Sequence, residues 1–214
     1  MRRFGKPERK WFLKSENGRK SECVVEICGP WAREFPFLAR HFSAILFTMG
    51  MRRQARERAV QFLFQHDLNP PDNLEGALDQ FWDSQRAAAL AEEKGQANWG
   101  EKVELPPPTA DEAAVRTFAD PLIRATLEHR NEIDAEIVKH TKNWALNRIA
   151  AVDRNILRLA IYEMLHREDI PPIVSINEAV DIAKKFSTED SGKFVNGILD
   201  KIKGELMRPA RVVK

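Results

Sequence analysis

The sequence has few cysteines and no long apolar run, and both shortages exclude classes of protein. Its two cysteines, Cys23 and Cys28, are too few for a disulfide framework, which fits the reducing cytoplasm. No second Cys/His pair lies near them, so we predict no zinc site there. The most apolar stretch, residues 35–49, is interrupted by Pro36 and Arg40 and is shorter than the roughly 20 residues that span a bilayer. We therefore expect a cytoplasmic protein without a membrane segment.

Motifs for catalysis are absent as well. The sequence contains no Walker loop, no dinucleotide-binding glycine fingerprint and no nucleophile elbow. Its five histidines are scattered, without an H-x-x-x-H pair, so we interpret each as a surface or helix-end residue rather than a metal ligand. They are His41, His66, His129, His140 and His166. We predict neither an enzyme nor a cofactor.

Charge is distributed unevenly along the chain. The whole sequence carries +2, but residues 1–50 contain 10 basic and 5 acidic residues, and residues 51–214 contain 24 basic and 27 acidic residues. The second region is therefore slightly acidic, and any affinity for nucleic acid must come from a local patch.

Residues 1–50 form the first predicted region and show no sustained period. Helical patterning begins abruptly after Met51, which leaves two interpretations: a basic N-terminal extension, or upstream sequence preceding a true start at Met51. We favour the second, and a tryptic peptide from residues 11–40 of the native protein would exclude it. Residues 1–50 are thus predicted to be disordered or untranslated, and residues 51–214 to be a separate helical domain.

From Arg53 onwards apolar residues recur at helical spacing, and no segment alternates as a strand does. The segment 147–167 is apolar on most sides and is predicted to be a central buried helix. Pro121 is expected to bend or divide the third helix, and capping-box spacing marks helix starts at Ser175 and Ser187. The predicted fold is an all-α bundle of about seven helices: 53–68, 73–93, 109–129, 131–143, 147–167, 175–186 and 187–207.

Two basic clusters suggest an anionic partner. Residues 52–58 hold four arginines and one glutamate at the predicted helix start, where cations are slightly unfavourable, so they favour RNA phosphate as a ligand. The second cluster, residues 183–197, interleaves lysines with Phe186 and Phe194, a pattern that can bind single-stranded RNA by phosphate contacts and base stacking. The alternatives are a solvated helix start and two core phenylalanines.

The second cluster also contains features of ordinary packing. Phe194 aligns with Ile198 and Ile202 on one helix face, which favours a core position for it. Gly197 would let two helices approach closely. A polar stripe of Arg154, Arg158 and Tyr162 on the central helix is either its solvent side or an interface.

Three segments resemble the NusB family of transcription antitermination factors. RRQARERAVQFLFQHD (52–67) is similar to the family's arginine-rich opening, and VDRNILRLAIYEML (152–165) to its central helix. VSINEAVDIAKKFSTEDSGKFVNGILDKI (174–202) resembles the family's most diagnostic stretch. The resemblance covers residues 51–205.

The resemblance implies a helical fold of two subdomains without a cofactor. It implies that the protein binds boxA RNA together with NusE, a small-subunit ribosomal protein, in the RNA polymerase antitermination complex that acts on ribosomal RNA operons. By position it implies an RNA-binding set of Arg52, Arg53, Arg56, Lys185, Phe186, Asp190, Lys193 and Phe194. It also implies partner-binding residues Phe64, Asp153 and Arg154. Self-association as a homodimer is left open.

Two departures from the family pattern stand out. Phe64 replaces a tyrosine that is common in the family and so removes a hydroxyl donor, and residues 83–110 exceed the corresponding connection. The alternative function is that of an RNA-binding accessory domain like the one in some ribosomal RNA methyltransferases. Such an enzyme needs a downstream α/β domain, which we do not expect in this chain. A helical scaffold without an RNA role is the third class.

Overall fold

The protein's structure, a computed structural model, describes residues 36–94, 105–141 and 145–206, with side chains described from residue 50 onwards and up to residue 92 in the first range. Cys23, Cys28 and the predictions for residues 1–35 lie outside the described residues. The chain divides into two compact units, Met1–Phe47 and Thr48–Lys214. Every described side chain belongs to the second unit.

Seven α-helices and one short 3₁₀ turn at Leu146–Arg148 account for the described secondary structure, and the described residues contain no strand. The prediction of an all-α fold is confirmed. None of these helices combines the length and the apolar character needed to cross a membrane. The helices are α1 (Pro36–Leu68), α2 (Leu74–Lys94), α3 (Ala110–Glu128), α4 (Arg130–His140), α5 (Ala151–His166), α6 (Pro172–Phe186) and α7 (Glu189–Leu206).

The start of α1 differs from the prediction, because the helix begins at Pro36 rather than at Arg53. The arginines of residues 52–58 therefore lie within a helix and not at its N-terminus. Since the helix dipole acts only within the first and last turns, the argument that these cations oppose the dipole does not apply. Helix α2 ends at Lys94, one residue beyond the end of the predicted helix 73–93.

Helix α3 runs through Pro121 as one helix. It begins with a capping box, in which the Glu112 N–H donates to Thr109 Oγ1 at 3.2 Å and the Thr109 N–H donates to Glu112 Oε2 at 2.7 Å. These bonds satisfy amide groups that would otherwise lack a partner at the first turn. This start agrees with the predicted helix 109–129.

The predicted start of α6 at Ser175 is wrong. The helix begins at Pro172, because proline at the first helical position loses no hydrogen bond and already has a helical φ. Ser175 is buried, and its hydroxyl donates to Glu163 Oε2 at 2.7 Å. At α7, Thr188 Oγ1 accepts the Ser191 N–H at 3.1 Å, so the capping residue lies one position after the predicted Ser187.

Helix α5 lies at the centre, as its sequence predicts. It packs against α3, α4, α6 and α7, and its aliphatic side chains Ile156, Leu157 and Ile161 are almost fully buried. Burial of each such side chain stabilises the fold by about 1.5–3 kcal/mol. Helices α1 and α2 meet through aromatic residues, with Phe62 and Phe81 in edge-to-face contact at 5.4 Å between ring centroids.

The close approach of α6 and α7 occurs at Gly192 and not at Gly197. A Cβ added at Gly192 would lie 3.2 Å from Lys184 Cγ, whereas nothing lies within 4 Å of one added at Gly197. The expectation for Gly197 is therefore wrong. The same helix buries Ile198 and Ile202, while Phe194 is partly buried against the core, as its alignment with the two isoleucines predicts.

Candidate nucleic-acid interface

The two basic clusters predicted from the sequence meet where α1 lies against α6. Arg53 donates two hydrogen bonds to the Glu178 carboxylate at 3.0 and 2.9 Å and one to Asp181 Oδ2 at 2.9 Å. In the opposite direction, Lys185 Nζ donates to Glu57 Oε2 at 2.6 Å. These four bonds bring segments that are more than 100 residues apart in sequence onto one surface.

We define the α1–α6 patch as Arg52, Arg53 and Lys185, which are all exposed. Two of its three cations, Arg53 and Lys185, pair with three carboxylates, so the patch is locally balanced rather than strongly basic. Exposed ion pairs are typically worth less than about 1 kcal/mol. The cations can therefore exchange their carboxylate partners for phosphate oxygens at a small cost. The carboxylates are Glu57, Glu178 and Asp181.

Arg56 lies in the core and not on this surface. Its side chain is 5% exposed, and its Nε donates at 2.8 Å to Glu163 Oε1, whose side chain is 1% exposed. Glu163 also accepts the Ser175 hydroxyl. An arginine held in this way cannot reach a phosphate without breaking a buried ion pair. The structure thus gives Arg56 a role in the core, and its contact with RNA stays a prediction that this burial does not favour.

Two residues that the sequence analysis missed extend the patch. The half-buried Phe118 of α3 has three arginines around its ring, with the Cζ atoms of Arg52, Arg56 and Arg167 at 5.6, 5.4 and 5.6 Å from the centroid. Arg167 is fixed by two hydrogen bonds to Asp169, which lower the pKa of that carboxyl to about 2. No sequence motif links Phe118 and Arg167 to the arginines of α1, because Phe118 belongs to α3 and Arg167 follows α5.

The second predicted RNA-contacting region is divided by the structure. Asp190 and Lys193, both highly exposed, pair with each other at 3.0 Å. Among the contacts of the described residues, neither bonds to a member of the α1–α6 patch. Lys185 lies over the Phe186 ring, with Nζ 5.4 Å from its centroid, and Phe194 packs against the core.

Phe186 and the predicted partner residue Phe64 line the same cavity. It has a volume of about 350 Å³ and is bordered by α1, α2, α5 and α6. Both rings are half-buried. Val152 of α5 also lines the cavity. The structure thus brings a residue predicted to contact RNA next to one predicted to contact a protein.

The other two predicted partner residues face inward. Asp153 is 6% exposed, and its Oδ1 is buried without a hydrogen-bond partner among the described residues. Arg154 donates to Asp67 Oδ2 through Nε at 3.1 Å and to the Leu146 carbonyl at 3.2 Å. Arg154 therefore stabilises the fold, whereas the Oδ1 atom of Asp153 accepts no hydrogen bond from the described residues.

Asp67 forms the centre of a buried network at the end of α1. It accepts hydrogen bonds from Arg130, Arg154 and Arg158, and Arg158 also donates two bonds to Asp134 at 2.7 and 2.9 Å. Burial by itself would raise the pKa of Asp67, but the bonds from Arg154 and Arg158 outweigh it and lower the pKa to about 2. This network ties α1 to α4 and α5, so the polar stripe of Arg154 and Arg158 is mostly an internal connection rather than a solvent side.

Comparison with known proteins identifies the chain's relatives. The model of the NusB family matches residues 53–203. The transcription antitermination protein NusB of Geobacter sulfurreducens is 44% identical over 158 residues, which cover 74% of this chain and 97% of that protein. The protein of the same name from Myxococcus xanthus is 41% identical over 161 residues, covering 75% of this chain and all of that one.

Solved structures give the same result. NusB of T. maritima is 37% identical, with a TM-score of 0.53 over 72% of this chain and 91% of that chain. A crystal structure of the antitermination factors NusB and NusE in complex with dsRNA contains a chain that is 29% identical, with a TM-score of 0.52 over 73% of this chain and 98% of that chain.

Proposed function

The chain belongs to the NusB family, and we propose that it binds boxA-type RNA together with NusE and thereby promotes processive transcription of ribosomal RNA operons. The observation that carries the proposal is the α1–α6 patch, in which the two basic segments that the family resemblance predicts to contact RNA meet on one surface. A related NusB has been crystallised with NusE and dsRNA, which supports both partners.

The chemistry of the patch favours a phosphate backbone over a small anion. Arg53 already forms a two-pronged bond to a carboxylate, and the same guanidinium fork fits phosphate oxygens. Arg52 lies beside it, and Phe118 with Arg167 continues the surface. Because the patch is balanced in charge, we expect weak binding by the chain alone and a strong gain when a second protein contributes cations.

The partner surface is proposed to lie around the cavity of Phe64 and Phe186. An apolar cavity of about 350 Å³ can accept an aliphatic or aromatic side chain of NusE. The buried Oδ1 of Asp153 would accept a hydrogen bond from a donor of the same partner. An unsatisfied buried acceptor costs roughly 1–3 kcal/mol, so supplying that donor would favour association.

The test is binding of the purified chain to boxA RNA and to a scrambled RNA of equal length, with and without NusE. We expect NusE to bind the chain, and the pair to bind boxA RNA more tightly than the scrambled RNA. Equal and weak binding to both RNAs in the presence of NusE would overturn the antitermination proposal. The ribosomal operon is tested in cells, where depletion of the protein should lower transcription of promoter-distal ribosomal RNA more than that of promoter-proximal RNA.

A further inference from the structure

His166, from the end of α5, meets His129 and Glu132 beside the Asp67 network. His129 lies at the junction between α3 and α4, Glu132 in the first turn of α4, and His166 at the end of α5. Glu132 Oε2 lies 3.1 Å from His129 Nδ1 and 3.5 Å from His166 Nε2. The ligand atoms of all three residues lie within 4.8 Å of one another, so two imidazole nitrogens and one carboxylate oxygen are gathered in one place.

The spacing fits a tetrahedral ion. Zinc lies about 2.0–2.1 Å from nitrogen and carboxylate oxygen ligands, which places tetrahedral ligand atoms about 3.3 Å apart. The two measured separations lie on either side of that value. Imidazole and carboxylate together suit Zn²⁺ and its transition-metal neighbours better than Mg²⁺ or Ca²⁺, which prefer oxygen ligands alone.

The imidazoles are held in place by their surroundings. The rings of His129 and His166 stack at 4.1 Å between centroids, and Tyr162 stacks on His166 at 5.2 Å. Stacking restricts the rotation of both rings, so the entropy lost when an ion binds is reduced. All three ligand side chains are at least a quarter exposed, at 36%, 54% and 28% for His129, Glu132 and His166. An ion can therefore enter from solvent.

Neighbouring cations do not fill this position. Arg130 donates to Asp67 at 2.8 Å, and Arg167 donates to Asp169 at 2.8 and 2.9 Å. A second cluster, formed by Glu136, His140 and Glu205, differs in this respect. There the Lys139 ammonium lies 2.7 Å from Glu205 and 3.4 Å from Glu136, so the carboxylates already have a cation.

We propose that His129, Glu132 and His166 bind one divalent transition-metal ion of the Zn²⁺ class, with water in the fourth position. The ion links the α3–α4 junction to the end of α5. This connection reinforces the part of the molecule in which Arg130, Asp134 and Arg158 surround Asp67. The site does not depend on RNA or NusE, and it departs from the interpretation, made from the sequence, that each histidine is a surface or helix-end residue rather than a metal ligand.

The experiment is a titration of the metal-free full chain with Co²⁺, whose visible absorption reports tetrahedral coordination, followed by competition with Zn²⁺. We expect one equivalent to bind, Zn²⁺ to displace the Co²⁺, and Zn²⁺ to raise the melting temperature. His166→Gln and Glu132→Gln should each weaken binding by more than about tenfold and remove the Zn²⁺-dependent rise in melting temperature.

His140→Gln is the matched control, because it removes the histidine of the second cluster and should leave Co²⁺ binding unchanged. Circular dichroism of each variant without metal separates loss of a ligand from loss of the fold. Absence of saturable one-to-one binding by the wild-type chain overturns the proposal. So does binding that survives in His166→Gln, or that disappears in His140→Gln.

Discussion

The core pair of Arg56 with Glu163 and the exposed α1–α6 patch place the same residue type in opposite environments. Arg53 and Arg56 belong to one arginine-rich segment. They are three residues apart, which is less than one helical turn, and a turn rises about 5.4 Å along the axis. Arg53 is 48% exposed and holds carboxylates of α6, whereas Arg56 is 5% exposed and holds Glu163 of α5. Exposure decides which arginine can exchange its partner for RNA phosphate and which fixes the helices.

The difference shows that a buried ion pair and an exposed one respond differently to the loss of one partner. In the core, the remaining charge stays desolvated without compensation, which costs several kcal/mol. On the surface, water replaces the lost partner, and the change in stability is small.

Glu163→Ala should lower the free energy of unfolding by about 3–5 kcal/mol, because it leaves the Arg56 guanidinium buried and unpaired. Urea unfolding followed by circular dichroism measures the loss. The control is the double variant Arg56→Met with Glu163→Leu, which removes both charges and should recover most of the stability. If Glu163→Ala costs less than about 1 kcal/mol, the pair behaves like a surface pair and the contrast between the two regions fails.

Acidification should reveal the Asp67 network. The pKa of Asp67 is lowered from 3.8 to about 2 in the folded chain, so its ionised form stabilises the fold above pH 4, and this contribution disappears as the pH falls from about 4 to about 2. The shift corresponds to about 2 kcal/mol. Urea unfolding at a series of pH values should show this loss in the wild type.

In Asp67→Asn the pH dependence between 4 and 2 should become flatter, since the titrating group is absent, although the variant is less stable at neutral pH. Asp134→Asn is a useful comparison, because that carboxylate also pairs with Arg158 but is more exposed. A pH profile of Asp67→Asn that matches the wild type would show that other carboxyl groups cause the acid loss.

Arg53→Ala should change RNA binding much more than stability. We expect a change of less than about 1 kcal/mol in the free energy of unfolding. The slope of log affinity against log salt should decrease by about one, since one phosphate neutralisation is lost. Arg124→Ala is the matched control, because Arg124 forms the same two-pronged bond to Glu75 outside the α1–α6 patch.

The same titration separates the two arginines of the segment. The Arg56→Met and Glu163→Leu double variant should keep the wild-type salt slope, since Arg56 is paired inside the core. An unchanged slope in Arg53→Ala, or a reduced one in the double variant, would reverse the assignment of the two residues.

Lys193→Ala should have the smallest effect on stability, within about 0.5 kcal/mol, because its side chain is 78% exposed and its only described ion pair is with Asp190. If the second predicted RNA-contacting region is used, the salt slope decreases by about one. Lys201→Ala, an exposed lysine further along α7, provides the control. Equal slopes for the two variants would restrict the RNA surface to the α1–α6 patch.

The sequence predicts the helices well and their ends less well. Apolar periodicity is local, so the all-α fold and the central position of α5 follow from it directly. The start of a helix depends on which side chain reaches a free amide group. Ser175 has the spacing of a capping residue, but its hydroxyl donates to the buried Glu163, and the helix begins at Pro172 instead. A glycine is recognisable by its lack of a side chain, but only the packing of α6 and α7 shows that Gly192 and not Gly197 is the close contact.

Family motifs predict a basic site but not how its residues are distributed between surface and core. Arg52, Arg53 and Lys185 are all exposed, as expected, whereas Arg56 is buried. Phe118 and Arg167 lie beside Arg52 although neither belongs to a family motif. Burial is a property of the whole bundle. The spacing of the arginines within residues 52–58 therefore does not reveal which of them is buried.

By itself, therefore, the sequence determined the helical class, the order of the helices, the family and the two basic segments, because each of these is written in local periodicity or contiguous motifs. The tertiary structure decided which charges are paired in the interior and which face solvent. It also decided that His129 and His166 share a carboxylate, which no sequence spacing indicates. The physical reason is that desolvation and ligand geometry depend on distances across the bundle, and those distances exist only once the helices have packed.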